Sequence, residues 1–530
     1  MKKLLFLLLT VLFIGQRINA QTAGMIDSSF NETGVINLQL DSLPTSFYKV
    51  RVAPNGKIFT LGHSRDENLS YRATIIRYNT DGSLDASFGT AGVTRVPAIY
   101  GAAKDCFFLA DGRIVVLVDD FYDRPTLVRL LPNGNLDPTF GTDGIAPVDP
   151  GVYTSEIADP LLQPDGKTII TGNYSDFQTG NSGAFVTRAL PAGNLDVSFG
   201  LTGTKTIKTV TGDTSITING AALQPDGKIL VGGRIGNDYY SYQWFMTRLM
   251  PDGTLDHSFA NNGTFIKNLG DNHSEGIYDI IVLPDGKILV GGYGEKAPGY
   301  HFTILRLKPD GTVDNTFGLG GKAQASMGCC FSVIFEMARQ VDGKILACGY
   351  TEGDHGLIYS IARFKPNGLL DQTFGDVGRL FYEFKQSPTD TISQRATSIA
   401  IQPDNKILVA GWTDYENYAY SGILLRLNPG SVVGTESVES DIVQGLAIFP
   451  NPVTEDNITL KYYLSAPAPV SITMYDLLGR KIADLQTVTP RREGVQEENL
   501  RLPSGIANGQ YFIKIETPNG VKTVKFLRAE

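Results

Sequence analysis

The residues that first invite a chemical reading are Gly166-Lys167-Thr168, the kind of tripeptide that closes a phosphate-binding loop. That loop also needs a glycine five residues before its second glycine, and the position is held by Leu161. Asp81-Gly82-Ser83-Leu84-Asp85 places two carboxylates at a spacing that suits calcium. The first carboxylate becomes Ala192 in the corresponding stretch, and no bidentate glutamate follows, so turn capping explains it better. The five histidines, His63, His257, His273, His301 and His355, are scattered, and neither H-E-x-x-H nor G-x-S-x-G occurs. The residues therefore nominate no catalytic group, no metal set and no cofactor.

What the sequence does hold is a repeat, and each of these apparent motifs is a fragment of it. An acidic turn, D-x-[S/T]-F-x-x-x-G, starts at Asp27, Asp85, Asp137, Asp196, Asp256, Asp314 and Asp371. A hairpin centre of the form QPDGKIL has its turn pair at Asn55-Gly56, Asp111-Gly112, Asp165-Gly166, Asp226-Gly227, Asp285-Gly286, Asp342-Gly343 and Asp404-Asn405. Such pairs between apolar runs favour two-residue hairpin turns, in which both central residues have positive φ. A short apolar strand ends in arginine at Arg77, Arg129, Arg188, Arg248, Arg306, Arg363 and Arg426. A charge on an apolar strand is costly unless paired, so these arginines and aspartates read as seven equivalent ion pairs that belong to the scaffold.

Each unit of about 57 residues thus offers four short strands, apolar on both faces, with no amphipathic helical pattern between the turns. Four strands at such a period make a propeller blade, and seven units make a seven-bladed β-propeller. Six arginines precede their aspartate by eight residues, but eight beyond Arg426 stands Gly434, while Asp27 has no arginine eight residues before it. The two ends are complementary fragments of one unit. The stretch Gly34 to Leu40 is expected to complete the seventh sheet beside the strand ending at Arg426, closing the ring and hiding its edges. These patterns resemble the delta-60 repeat family, whose members are read as β-propellers; the resemblance covers roughly residues 26 to 430 and implies a fold but no activity.

The chain opens with Lys2-Lys3, an apolar run from Leu4 to Ile14 and then Ala20, the pattern of a cleaved secretory signal. The run is shorter than the roughly 20 residues that span a bilayer, and no later segment reaches that length. Loss of Lys2, Lys3 and Arg17 takes the formal charge from −9 to −12. An acidic surface repels phosphate backbones and excludes nucleic acid as a natural partner. Cys106, Cys329, Cys330 and Cys348 lack zinc-site spacing and read as core cysteines rather than a disulfide framework.

After Pro429 the repeat stops. A second all-β unit, a small β-sandwich, is expected from apolar runs at Ile458 to Leu464, Val470 to Leu477, Gln510 to Ile515 and Thr523 to Leu527. Phe449-Pro450-Asn451-Pro452, then Met474-Tyr475-Asp476-Leu477-Leu478-Gly479-Arg480-Lys481, then Gly509-Gln510-Tyr511-Phe512 resemble the type A C-terminal sorting domain of type IX secretion. The resemblance implies passage across the outer membrane of a Bacteroidetes-type bacterium, with the type IX machinery as partner. Its motif residues here are Pro450, Asn451, Pro452, Tyr475, Asp476, Gly479 and Arg480. The expected division is a signal peptide at 1–20, a propeller at 21–430, a linker at 431–445 and the sorting domain at 446–530.

On a repeat scaffold the shared residues explain the fold, so function is sought where copies differ. The connections Gly233 to Trp244, Gly292 to Phe302 and Gly411 to Tyr420 differ most and are rich in tyrosine and tryptophan. Tyr239, Tyr240, Tyr242, Trp244, Trp412 and Tyr415 are the candidate ligand contacts, for a glycan or a surface protein. The expectation is an exported monomer that binds or builds at the cell surface. The alternative is a polysaccharide-cleaving enzyme with carboxylates facing the channel, which nonrepeated acidic residues clustered there would favour.

Overall fold

The computed structural model describes residues 23–121, 124–175, 182–208, 215–236, 242–270, 275–296, 299–328, 331–353, 356–384, 393–415, 419–430, 443–451, 453–464, 467–476, 481–517 and 520–528. The expected signal peptide, most of the expected linker, Cys329 and Cys330 lie outside these residues. Among the described residues every regular element is a strand.

Antiparallel strands form seven blades. Blade 1 joins Thr45–Val52, Ile58–Arg65, Tyr71–Tyr78 and the start of Val93–Phe108. The rest of that long strand opens blade 2, which continues through Ile114–Asp120, Pro125–Leu130 and Ile145–Pro147. Blades 3 to 6 each take four consecutive strands, beginning at Thr154–Leu162, Ser215–Leu223, Gly276–Val282 and Ser332–Arg339. The first strand of each blade lies innermost, against the first strands of its neighbours. Middle strands such as Pro125–Leu130 are buried along their whole length, as a sheet packed on both faces requires.

Closure follows the mismatch in the repeat. Blade 7 is built from Ser393–Ile401, Ile407–Tyr415 and Ala419–Leu427, and Val35–Leu38 pairs with the last of these in the register Val35↔Leu425 to Leu38↔Gly422. The N-terminal segment thus supplies the outer strand of the last blade. Backbone bonds from Gly24 N to Asn428 O (2.8 Å) and from Asp27 N to Arg426 O (2.9 Å) extend the seam.

The hairpin centres differ from expectation. Only the second residue of each turn pair is left-handed, at φ 81° in Gly56 and 67° in Asn405. The N–H of Gly56 donates to Ala53 O (2.8 Å) and that of Ala53 to Lys57 O (2.9 Å), which makes a three-residue loop, a type I turn closed by a left-handed residue. In five blades Pro54, Pro164, Pro225, Pro284 and Pro403 fix φ near the value that the first corner of a type I turn needs. Ala110 and Val341 take the same corner in the other two, where the Gly112 and Gly343 N–H groups donate to Leu109 O and Gln340 O at 2.9 Å. The Asn55 side-chain oxygen then accepts the Lys57 N–H at 3.1 Å, a use for the Asn/Asp position that a mirror-image turn does not explain.

The seven arginine–aspartate pairs all form, with Nε to Oδ2 distances of 2.7–2.9 Å. In blade 4, Arg248 donates through Nε to Asp256 (2.7 Å) and through Nη1 to the Pro309 carbonyl of the next blade (2.6 Å). Its guanidinium lies 4.5 Å from the Phe259 ring centroid. That ring abuts Gly311 of blade 5, where a Cβ would stand 2.7 Å from it. One residue set therefore holds its own blade and its neighbour. Across the seam Arg426 repeats the arrangement, with Asp27 (2.7 Å), Phe30 (4.5 Å) and the Thr80 carbonyl of blade 1 (2.6 Å).

The C-terminal unit stacks two sheets. One holds Val443–Phe449, Asn457–Leu464 and Gly494–Arg501; the other orders Lys481–Arg491, Ala468–Asp476, Gly509–Thr517 and Gly520–Arg528. Leu460, Tyr462, Ile472, Met474, Ile513 and Phe526 lie in the core between them.

Candidate functional site

Each inner strand carries a β-bulge at the same level, seen as a register shift next to Lys49, Asp105, Gly220, Asp279, Glu336 and Ser398, and across Ala158-Asp159 in blade 3. A bulge re-aims side chains, and here it gathers unlike residues around the channel. Lys49, Arg51, Asp105, Asp159, Asp279 and Glu336 line one cavity of about 380 Å³. All seven bulge positions lie seven residues before the left-handed residue of their hairpin, so the belt was readable from the repeat once aligned on Gly56, Gly112, Gly166, Gly227, Gly286, Gly343 and Asn405. The sequence reading passed over it because the belt is where the units disagree.

Three of these side chains bond the next blade. The Asp279 carboxylate accepts the Met337 N–H of blade 6 (2.7 Å), Glu336 accepts the Ile399 N–H of blade 7 (2.8 Å), and the Ser398 hydroxyl accepts the Val50 N–H of blade 1 (3.0 Å). Lys49 and Gly220 have no acceptor to offer. In the blades that follow them the aspartate bonds the N–H of its own neighbour instead, Cys106 to Asp105 and Ile280 to Asp279, both at 2.7 Å. Blade 3 breaks the chain of bonds differently, because Pro160 has no N–H to give. The second oxygen of Asp105 accordingly pairs with Arg51 (2.6 Å). Among the described residues Asp159 alone of the four carboxylates accepts no backbone N–H; it faces Lys49 at 3.2 Å.

Charge and burial set the proton affinities. Burial works to raise the Glu336 carboxyl, but Lys49, Arg51, the Ser398 hydroxyl and the Ile399 N–H outweigh it and hold it at about 2. Burial also raises Asp279, and with Glu336 and Asp159 close by, its carboxyl is pushed up to about 7. Asp159 is likewise raised by burial, against the pull of Lys49. The ammonium of Lys49 is disfavoured by burial yet held firmly charged by Asp159 and Glu336, which it meets at 3.2 and 3.1 Å. The channel is a compensated belt of charges, not a bare acidic pair. Cys106 and Cys348 are free, buried thiols, both pushed up by burial.

In each blade the connections after the second and fourth strands emerge on the face opposite the hairpin centres, since the four strands alternate in direction. Of the residues nominated there, Trp244 is corrected: it is fully buried between blades 4 and 5, and its indole N–H donates to Tyr293 O at 2.9 Å. The strand Gln243–Leu249 begins one residue before it and turns the ring inward, so it presents no face to a ligand. Tyr242 is half-buried beneath the Arg234 guanidinium (4.5 Å). Trp412 is half-buried, edge-on to Tyr420 at 5.6 Å, with Arg395 5.3 Å from its ring. Tyr239, Tyr240 and the Tyr415 side chain lie outside the described residues. Rings that the sequence reading did not nominate run out from the channel: Tyr278 to Phe335 (5.4 Å), Phe335 to Tyr350 (5.5 Å), and Tyr48 to His63 (5.4 Å) and on to Tyr71 (4.7 Å).

In the C-terminal unit Asn451 ties the first strand to the last, its side-chain oxygen accepting the Leu527 N–H (3.0 Å) and its amide donating to Lys525 O (3.4 Å). Pro450 precedes it in the same connection, while Tyr475 and Asp476 pair with Phe512 and Tyr511 in the sheet centre. Pro452, Gly479 and Arg480 lie outside the described residues.

Comparison with known proteins matches the family described as a domain of unknown function (DUF5122) beta-propeller at residues 53–88, 109–140, 163–199, 224–259, 283–317, 340–374 and 402–433. The secretion system C-terminal sorting domain matches residues 447–528. No curated protein matches. Among solved structures, the polysaccharide lyase Uly1 is 11% identical, covers 72% of this chain and 90% of its own, and has a TM-score of 0.42. A puromycin hydrolase is 14% identical with a TM-score of 0.43, over 84% of this chain and 61% of its own. The β-propeller domain of the Trilobed protease from Pyrococcus furiosus is 9% identical with a TM-score of 0.36, over 72% of this chain and 93% of its own.

Proposed function

For a chain that carries seven DUF5122 β-propeller repeats and a type IX sorting domain, and is therefore secreted or attached at the cell surface, we propose that the propeller is a binding module. Its working side is the face of the second and fourth connections. One observation carries this reading: the channel carboxylates that would serve an enzyme are already occupied, three of the four as acceptors of backbone N–H groups. A general acid or base must be able to exchange its proton with substrate, and a carboxylate that fastens two blades cannot be withdrawn without loss of the ring. The face above, by contrast, gathers aromatic rings beside guanidinium groups, as over Tyr242, Tyr350 and Trp412. Flat apolar faces with polar edges suit glycans and protein surfaces alike.

Polysaccharide cleavage is the second reading, and the nonrepeated carboxylates Asp105, Asp159, Asp279 and Glu336 in the channel are the feature expected to favour it. Asp279 at about 7 and Glu336 at about 2 line the same cavity, and carboxylates with proton affinities pushed apart can divide acid and base roles. Incubation of the mature protein with a panel of extracellular polysaccharides separates the two. Retention without a new reducing end supports the binding module; release of oligosaccharides that is lost in Asp279→Asn would replace it with the enzyme.

A further inference from the structure

We propose that the groove between blades 2 and 3 is a binding site for a neutral polysaccharide chain, an inference that rests on the binding reading above. The groove holds about 670 Å³. That is the size of a small-ligand site, whereas a stable protein partner needs a broad surface of about 1,200 Å² or more. On one wall Phe121 follows the second strand of blade 2, and the residue is 46% exposed. Its N–H donates to Tyr100 O at 3.0 Å, and its ring packs edge-on against Tyr100 (5.9 Å) and Tyr71 (6.3 Å). Tyr153, in the connection into blade 3, is 71% exposed, the most exposed tyrosine or phenylalanine in the described core and surface. Its carbonyl accepts the Ser175 N–H at 3.1 Å. Two rings are thus offered to solvent on backbones that are already fixed, so little ordering entropy is left to lose on binding.

The polar lining selects among sugars. Asp119, Asp120 and Asp149 face the same groove, and its one guanidinium, Arg124, is held by Asp149 at 2.8 Å. Carboxylates accept hydrogen bonds from sugar hydroxyls while repelling other anions. A neutral chain therefore fits: its C–H faces lie on Phe121 and Tyr153, and its hydroxyls reach the aspartates. Asp119 is met by Lys104 at 3.5 Å, so the groove sets three carboxylates against two cations, and a polyuronate or sulfated chain meets a lining of net negative charge.

Affinity electrophoresis of the full mature protein tests this, through gels containing xyloglucan, mixed-linkage β-glucan or mannan as neutral probes and alginate as the anionic one. The expected result is retardation by at least one neutral probe and none by alginate. Phe121→Ala/Tyr153→Ala is expected to weaken that binding about tenfold or more while cooperative unfolding is kept and the melting temperature falls only slightly, since Tyr153 is exposed and Phe121 loses only its edge contacts with Tyr100 and Tyr71. Retardation of the variant equal to that of the parent overturns the groove while the binding reading stands. Preferential retardation by alginate overturns the assignment of a neutral ligand. No retardation of the parent by any probe overturns the glycan inference before the variant is considered, and the polysaccharide panel then decides the binding reading separately.

Discussion

The hairpin face and the channel belt of this propeller answer the same mechanical need by opposite means. On the hairpin side one arrangement recurs seven times: arginine on aspartate, guanidinium on phenylalanine, phenylalanine against a glycine of the next blade. Around the channel the seven bulge positions hold Lys, Asp, Asp, Gly, Asp, Glu and Ser, and each joint between blades is solved locally. Where a blade offers no acceptor, the next aspartate turns to its own backbone; where Pro160 offers no donor, Asp105 turns to Arg51. Repetition gives stability that any unit can supply, while variation gives a belt in which each residue has a different consequence. Substitutions at equivalent positions should therefore have equal effects on one side and unequal effects on the other.

The largest expected effect comes from breaking the seam, where the repeated arrangement depends on the N-terminus. Deletion of residues 21–40 removes Val35–Leu38 from blade 7 together with Asp27 and Phe30, the partners of Arg426. The loss takes the carboxylate from a buried guanidinium and leaves the outward edge of Ala419–Leu427 open. With whole domains stable by only about 5–15 kcal/mol, cooperative unfolding should be abolished or its midpoint sharply lowered in a calorimetric scan. An unchanged melting curve would show that the ring does not need its N-terminal strand.

Much of this was legible in the sequence, and the legible part is the periodic part. Seven copies of Asp-x-Ser/Thr-Phe and the unpaired Arg426 and Asp27 specify blade number and closure, because a signal repeated at fixed spacing averages out local ambiguity. The turn type differs from expectation because Asp-Gly alone does not select it: the Asn/Asp side chain accepts the N–H two residues on in every blade, and in five blades a proline before the pair also fixes the first corner. Trp244 was taken for a surface ring because its stretch is polar, yet the strand resumes at Gln243 and alternation then dictates an inward indole. The belt was missed for a deeper reason. Its members share a position but not a chemistry, and a bulge shifts the alternation by one residue, so neither similarity nor period two marks them. Phe121 and Tyr153 stand in connections that every blade has but whose residues differ from copy to copy, and their exposure singles them out.

The belt itself sharpens the comparison through two neighbouring carboxylates. Glu336 receives Arg51 (3.0 Å), Lys49 (3.1 Å), the Ser398 hydroxyl and the Ile399 N–H (2.8 Å). Replacing it with alanine takes one of two carboxylate partners from Lys49, which keeps Asp159, and from Arg51, which keeps Asp105, and leaves the Ser398 hydroxyl and the Ile399 N–H without their acceptor, for an expected loss of about 3 kcal/mol in chemical denaturation. Asp159 has Lys49 alone, and Lys49 keeps Glu336 when Asp159 is changed. Asp159→Asn should cost about 1 kcal/mol or less. Equal losses from the two variants would mean that the belt acts as a uniform ring after all, and the contrast with the hairpin face would fail.

The smallest expected effect is a pH dependence in which the two faces pull in opposite directions. On the hairpin side, burial works against Asp27, but its bonds to Lys406 and Ser29 and the charge of Arg426 hold its carboxyl at about 2, below the usual carboxylate value. A carboxyl depressed in the folded state binds its proton less tightly than in the unfolded chain. Its stabilisation is present above pH 4 and drains away as pH falls through its folded value. Asp279 has the reverse sign. Burial and the nearby Glu336 and Asp159 push it up to about 7, so the folded chain binds that proton more tightly than the unfolded chain does. Its contribution is complete below about pH 4 and is lost as pH rises through about 7. The Met337 and Ile280 N–H groups favour the ionised form and pull against that rise. A decline of about 1–2 kcal/mol between pH 5 and 8 is the reasonable scale. Denaturation midpoints across that range should fall in the parent and stay level in Asp279→Asn, whose amide is neutral throughout, while the acid limb set by carboxylates such as Asp27 is shared by both proteins. If the parent is equally stable at pH 5 and 8, Asp279 is ionised in the channel, and the belt then differs from the hairpin face in geometry but not in charge.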